Sequence, residues 1–127
     1  NEIGDKKEQG IIYTKIANLQ FIIGNSKEAF AYLTKATKIQ REIEDYKNLA
    51  ITLNSRGILY FKNKEYQTAL EYFNSAKTTF EQEDLEEYLS EISLNKAKVY
   101  IQLKEYQSAF QHKHHLQEIK PACLRLS

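Results

Sequence analysis

Three stretches of this chain, spaced forty residues apart, are variants of one string. Residues 64–80 read KEYQTALEYFNSAKTTF and residues 104–110 read KEYQSAF, while upstream Ala29, Tyr32 and Ala36 occupy the places of Ala69, Tyr72 and Ala76. Self-similarity at a fixed period constrains a fold more than any single motif, because each unit must bury its apolar side against a neighbour of the same kind. Within 64–80, Tyr66, Ala69, Leu70, Phe73, Ala76 and Phe80 fall at helical spacing on one stripe, and Glu65, Gln67, Glu71, Asn74 and Lys77 fill the other side. The repeated element is an amphipathic helix. One Pro and four Gly in 127 residues leave few helix breakers. The predicted fold class is all-α, an α-α superhelix of antiparallel helix pairs.

Read in order, the chain divides into a short tail and three units. In residues 1–9, Glu2, Ile3, Asp5 and Lys7 recur as Glu42, Ile43, Asp45 and Lys47, which marks this stretch as the tail of a preceding repeat and the chain as a piece of a larger protein. Residues 10–49 form the first unit. Its first helix carries Tyr13, Ile16, Ala17 and Ile23 on one face, Gly24 and Asn25 break the pattern, and Ser26 is placed to cap a second helix through Ala29, Phe30, Leu33, Ala36 and Ile43. Residues 50–89 form the second unit, with Leu53, Gly57 and Tyr60 ahead of the 64–80 helix and the acidic run 81–87 as a solvated helix end and loop. Residues 90–127 form a degenerate third unit, carrying Ile92, Ala97, Val99 and Tyr100, then Tyr106, Ala109 and Phe110. There Lys113 and Leu116 break the small and large order and Pro121 ends or kinks the helix, as in a C-terminal cap.

Charge and reactive residues exclude several functions. The 18 Lys and Arg against 17 Asp and Glu leave no basic excess for a phosphate backbone, so nucleic acid is not an expected partner. No apolar run approaches the length of a bilayer span and no leader opens the chain, so no membrane contact by this segment is expected. The expected compartment is the cytoplasm, with a periplasmic sensory segment of a membrane-anchored regulator as the alternative. His112, His114 and His115 lack a Cys or carboxylate spaced to complete a tetrahedral site, Glu118 being the nearest candidate, and read as solvated side chains. Cys123 has only Arg125 nearby to activate it. With no phosphate loop, nucleophile elbow or zinc-protease motif either, no cofactor and no catalysis are expected.

The order of side-chain sizes in these helix pairs resembles that of tetratricopeptide repeats. Leu53, Gly57, Tyr60, Tyr66, Ala69, Phe73 and Ala76 supply the large, small, large, large, small, large and small side chains of that motif. Small Gly57 and Ala69 let two helices approach, Ala76 leaves room for the next unit, and Tyr60 and Phe73 fill the space between pairs. The unit is longer than the usual ~34 residues. Gln20, Arg56 and Lys96 replace expected aromatic or apolar residues, and no Pro closes a unit. Long units with the junction EIGDK, here residues 2–6, resemble the sensory arrays of bacterial histidine kinases and transcription regulators, and the LGN-type adaptors that grip extended peptides. The junction and the Lys-, Asn- and Ile-rich composition favour the bacterial group.

The resemblance implies a groove lined by the first helices of successive pairs. Its residues would be Thr14, Asn18, Phe21 and Ile22 in the first unit, Asn54, Ile58, Phe61 and Lys62 in the second, and Leu94, Asn95, Lys98 and Ile101, with Gln102, in the third. Amide side chains can pair with both N–H and C=O of an extended backbone, and the apolar members offer pockets beside them. The expected partner is a protein or an extended peptide segment. The matching places for a clamp on a C-terminal carboxylate hold Thr14, Ser55, Glu91 and Asn95, and only Asn18 fits, so such a clamp is not expected. Three roles follow: the interaction or sensory segment of a larger bacterial regulatory protein, a free-standing adaptor joining two proteins, or a self-associating array such as a homodimer.

Overall fold

The computed structural model describes residues 1–105 and residue 107. Helices α1 (Glu2–Ile22), α2 (Ser26–Glu42), α3 (Tyr46–Lys62) and α4 (Tyr66–Gln82) follow one another, and a 3-10 turn at Glu86–Tyr88 leads into α5, helical over 89–105. No strand occurs among the described residues, and the all-α class stands. α2, α3 and α4 are each 17 residues long and are joined by three-residue connectors, which is why the sequence repeats every forty residues per pair.

The helices end by one device. The amide of the last connector residue donates to a carbonyl five residues back, in Asn25 to Gln20, Asp45 to Gln40, Glu65 to Tyr60 and Leu85 to Phe80, at 2.8–2.9 Å. Such a closure satisfies orphan carbonyls but needs a left-handed residue at its centre. Gly24, Glu44, Lys64 and Asp84 supply it, with φ of 94°, 57°, 65° and 55°. At the three non-glycine positions the Cβ costs roughly 1–2 kcal/mol each. The last connector residue then serves as N-cap of the next helix. Asn25, rather than Ser26, holds that place for α2, and its amide turns back to Gln20 Oε1 at 2.8 Å instead of capping. Asp45 does cap, accepting from the Asn48 backbone at 3.5 Å and from Asn48 Nδ2 at 2.8 Å.

Within pairs α1 packs on α2 and α3 on α4; between pairs α2 and α1 both meet α3. The close approach of α3 to α4 depends on Gly57, where a Cβ would stand 2.5 Å from the Phe73 ring. Phe73 thus packs inside its own pair, and it belongs to one buried cluster with Ile92 and Val99 of the next unit. Tyr60 does bridge pairs, stacking on Phe30 at 4.6 Å and on Tyr72 at 5.2 Å. Ala29, Ala36, Ala69 and Ala76 are fully buried as the size pattern requires. Three side chains assigned to packing stripes are instead exposed: Ile23, Ala97 and Tyr100. Ile23 is the C-cap of α1, and Ala97 and Tyr100 stand at the positions of Gly57 and Tyr60, which face the second helix of their own unit; in the third unit that stretch lies outside the described residues.

α1 runs without interruption from Glu2, with Asn1 Oδ1 accepting from the Gly4 amide at 2.6 Å. Residues 2–9 and 10–22 are therefore one helix here. The expected second helix of the third unit, with Ala109, Phe110, Lys113, Leu116 and Pro121, lies outside the described residues, as do His112, His114, His115 and Cys123.

Candidate functional site

α1 and α3 run side by side, and the cleft between their C-terminal halves has a volume of about 200 Å³. It is lined by Asn18, Phe21, Ile22, Ser55, Ile58, Leu59 and Lys62. Five residues placed in the groove from the sequence therefore converge on one cleft. Its walls are apolar, from Phe21, Ile22 and Ile58, with Asn18 and Ser55 as polar edges and the exposed Lys62 ammonium at one end. From the sequence Ser55 stands only as a matching place for a carboxylate clamp, and Leu59 is not foreseen. For Leu59 a signal existed: Leu19, Leu59 and Val99 repeat a large apolar residue at the forty-residue period, off the stripe that faces the partner helix of the same pair.

The other groove residues have different fates. Thr14 is buried, its hydroxyl donating to the Gly10 carbonyl at 3.2 Å and paired with Thr52 Oγ1 at 2.9 Å across α1 and α3. Asn54 and Asn95 are also buried: Asn95 Nδ2 donates to Asn54 Oδ1 at 3.0 Å, and Asn54 Nδ2 donates to Glu91 Oε1 at 3.1 Å. A carboxamide offers two donors and two acceptor sites, so these bonds leave capacity on both amides. Phe61 packs on Tyr66 at 5.6 Å and is half-buried. Leu94, Lys98 and Ile101 stand exposed on α5. Glu91 in the Asn54 chain also sets a negative charge at a position where a carboxylate clamp would need a cation.

An aromatic column ties α2, α3 and α4 together. Arg56 lays its guanidinium over Tyr72 at 4.7 Å and reaches Thr37 Oγ1 at 3.4 Å, while Tyr72 stacks on Tyr60 and Tyr60 on Phe30. Burial pushes the Tyr72 hydroxyl above its ordinary value of 10.0, against the opposing pull of the Arg56 charge.

This architecture defines a class: a solenoid of helix pairs whose first helices border a groove. A tetratricopeptide repeat family model matches residues 8–82, more than half of the chain, and the chain belongs to that family. It is accordingly a protein-interaction scaffold, in a family whose members are typically non-catalytic. It is similar to response regulator aspartate phosphatase I of Bacillus subtilis (strain 168), with 26% identity over 115 residues. That alignment covers 88% of this chain and 29% of the relative, so the chain spans under a third of the relative's length. A comparison with solved structures found no match. No helix among the described residues is long and apolar enough to cross a membrane.

Proposed function

We propose that this chain is the partner-docking segment of a larger bacterial regulatory protein, and that it takes an extended peptide or protein segment along the groove of its first helices. The observation that carries this reading is the α1–α3 cleft, where apolar walls from Phe21, Ile22 and Ile58 meet Asn18, Ser55 and Lys62. Apolar walls gain free energy from burying side chains, and the amide and hydroxyl orient a backbone without demanding a sequence. Lys62 in the cleft and Lys98, also exposed and at an expected groove position of α5, favour a segment with acidic residues. The regulatory setting rests on the relative, whose name assigns it an action on response regulators. Signal output then belongs to another part of the protein.

Peptides selected for binding to the immobilised chain test the proposal. Ile22→Asp and Lys62→Glu change exposed side chains and leave the core intact. Together they are expected to weaken selected peptides by about tenfold or more, or ~1.4 kcal/mol. The Lys62→Glu loss should be largest for acidic peptides and should shrink as salt is raised. Peptides that bind the double variant as tightly as the parent place the docking surface elsewhere and remove the groove reading.

A further inference from the structure

The second helices leave a groove of their own, on the other side of the solenoid from the α1–α3 cleft. α2 and α4 do not pack on each other, and α3 lies between them. The stripe of α3 that looks out between α2 and α4 runs Tyr46, Leu49, Leu53, Arg56 and Tyr60, at helical spacing. Two levels of that stripe are closed: Tyr60 stacks between Phe30 of α2 and Tyr72 of α4, and Arg56 reaches from Thr37 of α2 to the Tyr72 ring. Beyond Arg56 the bridging stops. An open groove of about 470 Å³ remains there, floored by Leu49 and Leu53 and walled by Arg41 of α2, Tyr46 of α3 and the last turns of α4.

Arg41 is the one charged side chain lining this groove among the described residues, and Tyr46 stands 40% exposed beside the leucine floor. Neither Arg41 nor Arg56 forms an ion pair with any described residue. Both lie near enough to Tyr72 for their charges to act on its hydroxyl, which places the two cations on one side of the molecule. The α4 wall supplies acceptors. The Thr78 and Thr79 hydroxyls donate to carbonyls of their own helix, Asn74 at 3.0 Å and Ser75 at 2.9 Å, so each has only lone pairs left to offer. A segment lying in the groove would meet a cation and an aromatic ring on one side and acceptors for its backbone N–H groups on the other.

The repeat does not require these residues. Forty positions on, Arg41 and Tyr46 become Glu81 and Glu86, while Leu49 recurs as Leu89. α4 ends with no basic residue in its last turn, so a helix of this type closes without one. The stacking of helix pairs accounts for the leucine floor and leaves the arginine and the exposed tyrosine without a structural task.

We propose that the groove between α2 and α4 is a second docking surface, and that it takes an extended segment of a partner protein with an Asp or Glu side chain for Arg41 and an apolar side chain for the Tyr46 ring. Charge complementarity selects that occupant. A carboxylate at Arg41 supplies the pairing that no described residue gives it, and a planar guanidinium grips a carboxylate through two parallel hydrogen bonds. The connectors that follow α2 and α4 carry Glu44 and Asp84, both exposed, so a basic residue of the segment belongs at that end of the groove. With one groove on each side, the chain holds two segments at once.

Selection on a chain whose first-helix groove is disabled tests this surface by itself. Random peptides displayed on phage are selected against the full chain carrying Ile22→Asp and Lys62→Glu, and the winners are then measured as synthetic peptides on the parent chain. They are expected to share an acidic residue and to bind the parent as well as the selecting variant. Arg41→Glu should weaken them by about tenfold or more, and so should Ser75→Trp, which fills the groove from α4 without changing its charge. Arg41→Lys keeps the charge but not the paired hydrogen bonds and should fall between. Arg41 and Ser75 are exposed, so all three variants should melt close to the parent. Because these peptides are chosen without the first-helix groove, either surface can fail while the other stands. No selectable peptide, winners lacking an acidic residue, or winners indifferent to both Arg41→Glu and Ser75→Trp would overturn the proposal. So would a concentration-dependent mass of the parent chain that Ser75→Trp abolishes, because the occupant would then be a second copy.

Discussion

The two seams of this solenoid share one backbone plan and differ in what fills them. At the first seam, where α2 and α1 meet α3, polar groups share the interior with the apolar cluster around Leu59: Thr14 pairs with Thr52, Arg56 reaches Thr37, and Gln40 is fully buried at the end of α2 with neither amide atom bonded, whereas the buried polar pair of the second seam, Asn54 with Asn95, is hydrogen-bonded. At the second seam the same positions hold Phe80 for Gln40 and Ile92 for Thr52, and Phe80 stacks on Tyr88 at 4.6 Å with nearly parallel rings. Asn48, the forty-residue counterpart of Tyr88, turns away to Asp45. The Nε of Arg56, also buried and unbonded, lies at the first seam too. The difference teaches that the repeat specifies spacing, while the cohesion of each seam is set by a few side chains that the period leaves free to vary. An apolar seam gains from area buried; a polar one gains only where every group finds a partner.

The sharpest way to break the comparison is to empty the second seam. Phe80→Ala removes a ring that is almost wholly enclosed and should cost ~3–5 kcal/mol, because burial is lost and a cavity is left. Urea unfolding followed by circular dichroism measures it, and α5 should lose protection from hydrogen exchange before α1 to α4 do. Gln40→Ala at the matching place deletes an amide that contributes no bond and should cost much less. Equal losses at the two positions would mean that the seams are energetically alike.

A smaller effect, of opposite sign, sharpens the same contrast. Gln40→Met keeps the length of the side chain against Gly10 and removes two unpaired polar atoms, each worth ~1–3 kcal/mol when left buried without a partner. The variant is expected to be more stable than the parent by about 1–2 kcal/mol, part of the gain being spent on fitting the thioether. A stability loss in the same urea titration would show that the amide is satisfied in solution and that the first seam is not the weaker one.

How much of this was legible in the sequence follows from the same physics. Helix pairs could be read because small and large residues recur where helices must approach: Gly57 has no room for a Cβ beside Phe73, and Ala29 and Ala69 repeat one tight contact. The breaks near Lys64 and within 81–87 could be read too, but not their left-handed backbone, which Glu44 and Lys64 in particular do not advertise. Among groove residues, Asn18, Phe21, Ile22, Ile58 and Lys62 share a cleft because their helix face was readable. Asn54 and Asn95 share the corresponding faces, but whether an amide is open or bonded depends on the neighbouring helix, and the sequence of one helix does not carry that. Leu19 and Leu59 make the same point: one residue type at one position in the unit is exposed in the first and buried in the second.

The least effect concerns the aromatic column that ties the outside of the first seam. Burial raises the Tyr72 hydroxyl above its ordinary value of 10.0, with the Arg56 charge acting against that rise. The folded chain therefore holds this proton to higher pH than the unfolded chain does. Below pH ~10 both states keep it and its contribution to stability is complete; above that, the unfolded state loses its proton first, and the unfolding free energy falls as pH rises. Tyr72→Phe has no proton to lose and keeps the ring stacked on Tyr60. Melting curves taken between pH 9 and 11 should show Tm falling more steeply for the parent than for Tyr72→Phe, a difference that cancels the other tyrosines and the lysines common to both. Parallel slopes would mean that Tyr72 is as well solvated in the folded chain as in the unfolded one, and that the first seam is looser on its outer side than the stacked column implies.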